Sequence, residues 1–265
     1  MENDTFTPEL LVPAGDFEKL RYAFAYGADA VYAGVPIFSL RARENDFTLT
    51  SLKEAVAHSH QLGKRIYLTM NIYAHNSKVR PFLDSFCELA DLGPDGFIMS
   101  DNGLIAQALR LRPDAVIHLS TQANATNWTA VEFFRDIGVK RVILSRELSL
   151  REIAQIHEKV PDIELEAFVH GSICIAQSGR CLISNYLNHR DANQGTCTNS
   201  CRWEYALLRE KESLLAVEEM QQPRPRYQPL ENRYAVTEKK RPNEVFPIDE
   251  DEHGTYLMNS KDLCA

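Results

Sequence analysis

The chain has 265 residues, 44% hydrophobic and 25% charged, a globular balance that excludes wholesale disorder. Its net charge of −8, from 29 Lys and Arg against 37 Asp and Glu, argues against a surface that grips nucleic acid all over, though not against a local basic patch. No run approaches the roughly 18–20 apolar residues of a membrane span, and Met1-Glu2-Asn3-Asp4 lacks the basic start of a secretory signal, so the expected compartment is the cytoplasm, with no membrane partner.

Two textures alternate along the first 170 residues. Short apolar runs bounded by Gly, Pro, Asp or Ser predict buried parallel strands at Leu10–Val12, Ala30–Tyr32, Arg65–Met70, Gly96–Met99, Val116–Leu119, Arg141–Leu144 and Ile163–Val169. Amphipathic stretches between them predict helices at Phe17–Tyr26, Leu52–Leu62, Val79–Leu89, Leu104–Leu111, Ala130–Ile137 and Leu150–Lys159. Ser51-x-x-Glu54 and Ser149-x-x-Glu152 predict capping boxes.

Seven such alternations predict an α/β fold with a parallel sheet, close to a (β/α)8 TIM-barrel-like domain, with an eighth strand expected at Thr255–Asn259. The alternative is an open doubly wound sheet; no Gly-x-Gly-x-x-Gly follows the first strand, which weakens its dinucleotide-binding form. Residues 1–203 would hold strands one to seven and a cysteine-rich loop, 204–252 a polar excursion rich in Glu, Gln, Pro, Arg and Lys, and 253–265 the eighth strand. A barrel normally adds a closing helix after that strand, so the chain is read as a fragment, truncated there.

In a parallel barrel, chemistry sits where strands end. These ends are polar: Asp16, Asn71, Ser100-Asp101-Asn102, Ser120 through Asn124, Ser145-Arg146-Glu147 and His170-Gly171-Ser172. Along strand seven, Glu164, Glu166, Phe168 and His170 alternate with Leu165, Ala167 and Val169, which would turn the first set into the barrel. A buried carboxylate needs a partner, and Arg146 is the candidate for Glu166. Arg146, Glu166 and His170 are therefore candidate catalytic residues; a structural ion pair is the competing reading.

Six cysteines occur, and Cys174, Cys181, Cys197 and Cys201 fall within 28 residues at a Cys-x6-Cys-x15-Cys-x3-Cys spacing. In a reducing compartment such crowding points to metal before disulfides. Four thiolates suit an iron–sulfur cluster, and glycines 171, 179 and 195 let the backbone curl around one. Zinc is the rival, although only Cys197 and Cys201 have knuckle spacing. Cys264 competes with Cys201 as fourth ligand, whereas Cys87 lies on an amphipathic helix and reads as core. A nucleophilic Cys174, four residues from His170, is the competing enzymatic reading. Arg180, Arg190, Arg202 and Trp203 surround the cysteines and could contact an RNA backbone or base, or be solvated loop charges.

The run Glu166-Ala-Phe168-Val-His-Gly171-Ser-Ile-Cys174, followed by Ser178-Gly179-Arg180-Cys181-Leu-Ile-Ser184, resembles the collagenase-like peptidase family U32. Asn188 through Tyr205, Tyr22 through Gly34, Ser120-Thr-Gln122-Ala-Asn124 and Ile143 through Ser149 resemble its tRNA-hydroxylating branch. That resemblance implies a barrel-like domain with a 4Fe-4S cluster on Cys174, Cys181, Cys197 and either Cys201 or Cys264. It implies oxygen-independent hydroxylation of a wobble uridine in tRNA to 5-hydroxyuridine, with prephenate as hydroxyl source and an unidentified electron donor. Other members hydroxylate ribosomal RNA or ubiquinone precursors. The family label keeps a collagenase-like peptidase, a hydrolase of peptide bonds, as the alternative activity. Relatives are expected to continue past position 265.

Overall fold

A computed structural model of the protein describes residues 7–40, 46–171, 174, 176–203, 205–209, 234–238, 241–251 and 254–256. Two compact units divide the chain, residues 1–198 and 199–265.

The first unit alternates strand and helix: β1 Leu11–Ala14, α1 Phe17–Ala25, β2 Ala30–Gly34, α2 Leu49–Gln61, β3 Arg65–Met70, α3 Asn76–Ala90, β4 Gly96–Met99, α4 Asn102–Leu111, β5 Ile117–Leu119, α5 Trp128–Asp136, β6 Arg141–Ile143, α6 Leu150–Lys159 and β7 Glu164–Glu166. All neighbours pair in parallel, in the order β1 to β7. Each helix returns the chain to the start of the next strand, the connection a parallel neighbour requires. The sheet is a curled half-barrel, and the α/β, TIM-barrel-like expectation holds for this unit.

Strand alternation sorts the side chains into two layers. Ile66, Leu68 and Met70 of β3 join Val31, Ala33, Phe97, Met99, Ile117, Leu119 and Val142 in a core shared with helix residues such as Leu20, Leu52, Phe82 and Phe86. Tyr67 of the same strand turns to the other face, where Ala30, Ile98 and Ile143 form a smaller cluster. Cys87 packs, partly buried, against the larger core, as its helix position predicts.

The Ser149–Glu152 capping box forms as expected. At α2 the cap is set one turn earlier than expected: Thr48 caps the helix and Ser51 is its reciprocal partner, because the helix starts at Leu49.

Strand β7 is shorter than predicted. It ends at Glu166, whose carbonyl accepts from Leu144 N–H at 2.9 Å, and residues 167–170 lie exposed beyond it, Val169 at 90%. The sheet supplies β7 with β6 as its neighbour, and β6 stops at Ile143, so among the described residues nothing continues the ladder. The inward alternation expected of Phe168 and His170 is therefore lost.

The second unit is a four-stranded antiparallel sheet of β8 Tyr205–Arg209, β9 Tyr234–Glu238, β10 Arg241–Asp251 and β11 Gly254–Tyr256, ordered β11-β10-β9-β8. This corrects two expectations. The segment read as a polar excursion supplies three strands. Of the segment read as an eighth barrel strand, Thr255 and Tyr256 pair antiparallel with β10 instead, Glu250 opposite Thr255, and 257–259 lie outside the described residues. β11 starts three residues after β10 ends, far too close for the crossover that parallel pairing needs. Among the described residues, no helix is long and apolar enough to cross a membrane.

Candidate functional site

Several polar strand ends turn out to start helices. Asp16 accepts from Lys19 N–H at 2.7 Å, and Asp101 accepts from Gly103 and Leu104 N–H, each satisfying donors that a helix start leaves open. Other ends converge on the cysteine loop.

Ser178 is the anchor of that loop. It is fully buried, and its φ of 51° lies in the left-handed region that costs a non-glycine residue about 1 kcal/mol or more. Its N–H donates to Glu147 Oε1 at 2.7 Å. Its hydroxyl lies 2.5 Å from that of Ser145 and 2.6 Å from Asn124 Oδ1. The Ser145 hydroxyl also donates to Glu147. Burial raises the Glu147 pKa, but the hydrogen bonds from Ser145 and Ser178 and the neighbouring Arg146 outweigh it, leaving the carboxyl below its ordinary value.

The next residues are held as firmly. Gln122 Nε2 donates to the Gly179 carbonyl at 3.4 Å, and Arg180 Nε donates to the Gln122 carbonyl at 2.7 Å. The Arg180 guanidinium also reaches Tyr73 Oη at 3.1 Å and lies over that ring. Asn193 then clamps Cys181, accepting from its N–H at 3.3 Å and donating to its carbonyl at 3.1 Å. Tyr73 N–H donates to the Asn193 carbonyl, and Lys78 donates to Gln194 Oε1 at 2.9 Å. Gly195 must be glycine: its φ is +83°, and a Cβ there would stand 2.6 Å from the Ser39 carbonyl.

The cysteine loop is thus docked on the C-terminal ends of the parallel strands, where parallel barrels carry their chemistry. Cys174, Cys181 and Cys197 belong to this unit, are partly buried, and are not disulfide-bonded. Exposed Cys201 falls in the second unit. Cys264 lies outside the described residues. Among the described residues, no three His, Cys, Asp or Glu gather closely enough to hold one metal ion. Thiolates on a single zinc stand about 3.8 Å apart at bonds of about 2.3 Å. A multi-iron cluster spans more than one ion and spaces its thiolates more widely, so soft donors on a docked loop suit it in kind.

The predicted catalytic residues separate. Glu166 is 3.5 Å from Arg141, not paired with Arg146 as expected. Arg141 opens β6, and β7 begins opposite it, so alternation directs Arg141, Glu164 and Glu166 to one face. Arg141 is 2.7 Å from Glu9 and 2.6 Å from Glu164, and Glu9 also reaches Arg65 at 2.6 Å and accepts from Tyr67 Oη. This charge cluster sits toward the strand starts, away from the cysteine loop. Burial pushes Glu166 up to about 7 despite the opposing charge of Arg141. Buried His118, packed on Tyr67, is pushed down to about 3 by burial and by Arg141 and Arg65.

Arg146 instead lies over the ring of Phe168, 5.8 Å from its centroid, and its buried Nε has no hydrogen-bond partner among the described residues. His170 is exposed. The sequence alone does not show the part of Tyr73, and it shows Asn193, Gln194 and Ser178 only as members of the motif runs, without their anchoring contacts. Ser178 and Asn193 stand within the cysteine motif, and that proximity was the available signal.

The sequence model of peptidase family U32 matches residues 15–265. The tRNA hydroxylation protein P of Escherichia coli K12 is 50% identical, over 98% of this chain and 60% of its own length. Its namesake from Haemophilus influenzae is 49% identical, over 98% of this chain and 59% of its own length. This chain therefore spans about 60% of the length of these curated relatives. The solved structure of the U32 peptidase Mk0906 superposes with a TM-score of 0.54 at 17% identity, covering 63% of this chain and 70% of that one, and shows likeness of fold alone. On the family match and these identities together, the chain belongs to peptidase family U32.

Proposed function

We propose that this protein takes part in tRNA modification, as an enzyme that hydroxylates a uridine at the wobble position to 5-hydroxyuridine without oxygen, drawing the hydroxyl group from prephenate. The observation that carries the reading is the docked cysteine loop at the strand ends, in a chain half identical to proteins named for tRNA hydroxylation.

Cys174, Cys181 and Cys197, with Cys201 or Cys264 as the fourth, would hold a 4Fe-4S cluster, which supplies one-electron transfer when bound. Arg146 would bind a donor carboxylate through its planar fork, with Phe168 beneath the guanidinium. Exposed His170 would help to position the anionic donor or the base. Glu166, tied to Arg141, serves the interior charge cluster rather than the substrate. Arg190, Arg202 and Trp203 would meet the tRNA, whereas Arg180 is spent inward on Tyr73 and Gln122.

Mass spectrometry of tRNA nucleosides tests this. A strain lacking the gene should lose 5-hydroxyuridine and regain it on complementation; unchanged nucleosides would overturn the reading. Iron and sulfide analysis after anaerobic purification tests the cofactor. Peptide cleavage by metal-free protein that Cys174→Ser abolishes would favour the collagenase-like alternative.

A further inference from the structure

We propose that Asn124, Ser145, Glu147 and Ser178 form a latch that sets the turn at residues 177–180, just ahead of Cys181, before any metal arrives. The inference rests on the metallocentre reading above and adds positioning residues to it.

Three strand-end segments meet at one buried serine. Asn124 follows β5, Ser145 and Glu147 follow β6, and Ser178 stands three residues before Cys181. Ser178 carries a strained backbone, and so does Asn124 at φ 63°. Such conformations persist only where surroundings over-determine them. Here the Ser178 N–H, its hydroxyl and the two following residues are all held by the ends of β5 and β6 or by the chain just beyond them. These contacts join the turn directly to the strand-end segments, so the end of the sheet itself holds its shape. Asn193 extends the hold to both backbone polar groups of Cys181. Pre-setting a thiol lowers the ordering cost at the moment of metal capture.

Glu147 is the natural point of attack, because it is exposed and its loss leaves the hydrophobic core intact. In metal-free reduced protein, Glu147→Ala should raise the alkylation rate of Cys181 by iodoacetamide about tenfold by easing local opening. Cys87, on α3, is the internal control and should not change. Glu147→Gln keeps an acceptor for the Ser178 N–H and should restore most of the protection. Asn124→Gly keeps the left-handed backbone while deleting the amide oxygen, and should behave like Glu147→Ala. Equal Cys181 rates in wild type and both deletions would overturn the latch, as would a parallel rise at Cys87. Anaerobic reconstitution separates the two ideas. Wild type that takes up no iron and sulfide defeats the metallocentre, while the alkylation rates still decide the latch.

Discussion

Glu9, ahead of the first strand, and Arg141, at the head of β6, meet at 2.7 Å across 132 positions of sequence. The pair ties the two sides of the curled sheet together through side chains. Burial by itself would lower the Arg141 pKa, but hydrogen bonds to Glu9 and Glu164 raise it, so the guanidinium stays charged.

Arg141→Met should therefore be costly. It leaves Glu9 and Glu166 close together without their shared cation, and loss of one partner of a buried pair costs about 3–5 kcal/mol. Urea unfolding should show a loss of that order. A change below about 1 kcal/mol would mean the cluster is solvated like a surface pair.

Glu166 makes stability depend on pH. Its folded pKa is raised from 4.5 to about 7, so the folded state favours the protonated carboxyl. The resulting stabilisation is fully present below about 4.5 and is lost as pH rises through about 7. At about 1.4 kcal/mol per pKa unit, the loss is at most about 3 kcal/mol. Glu166→Gln should remove this slope, as measured by thermal unfolding between those limits. A variant with the wild-type slope would place the titration elsewhere.

Arg146→Lys should separate activity from stability. Lysine keeps the charge but loses the planar fork and its stacking on Phe168. A deletion strain carrying this variant should show a several-fold or greater fall in tRNA 5-hydroxyuridine, with the melting temperature close to wild type. Full modification would remove Arg146 from the substrate site.

Gly195→Ala should undock the loop. The added Cβ would stand 2.6 Å from the Ser39 carbonyl, at a φ of +83° that alanine rarely adopts. Strain of this kind costs about 1–3 kcal/mol. Limited proteolysis should cut near residues 193–198 faster than in wild type, and anaerobically purified protein should retain less iron. Unchanged cleavage would show that Ser39 yields easily.

The strands and helices of the first unit were legible because their signals are local. β3 and β4 lie where their apolar runs predict, and α6 begins at its predicted Ser149 cap. Strand seven misled because its alternation continues to His170 while its neighbour β6 ends at Ile143, and a strand lasts only as long as its partner. The strands β8 to β11 misled for the opposite reason: antiparallel strands tolerate one polar face, so their composition resembles that of a loop.

By itself, the sequence determined the alternation of strand and helix and the presence of clustered thiols, because periodicity and donor chemistry belong to residues a few positions apart. Only the tertiary structure decided that Glu166 answers to Arg141 rather than Arg146, and that Ser178 joins Asn124 to Glu147. Those partners lie 25 to 54 positions apart, and their meeting depends on strand order and curl, which the packing of the whole sheet sets.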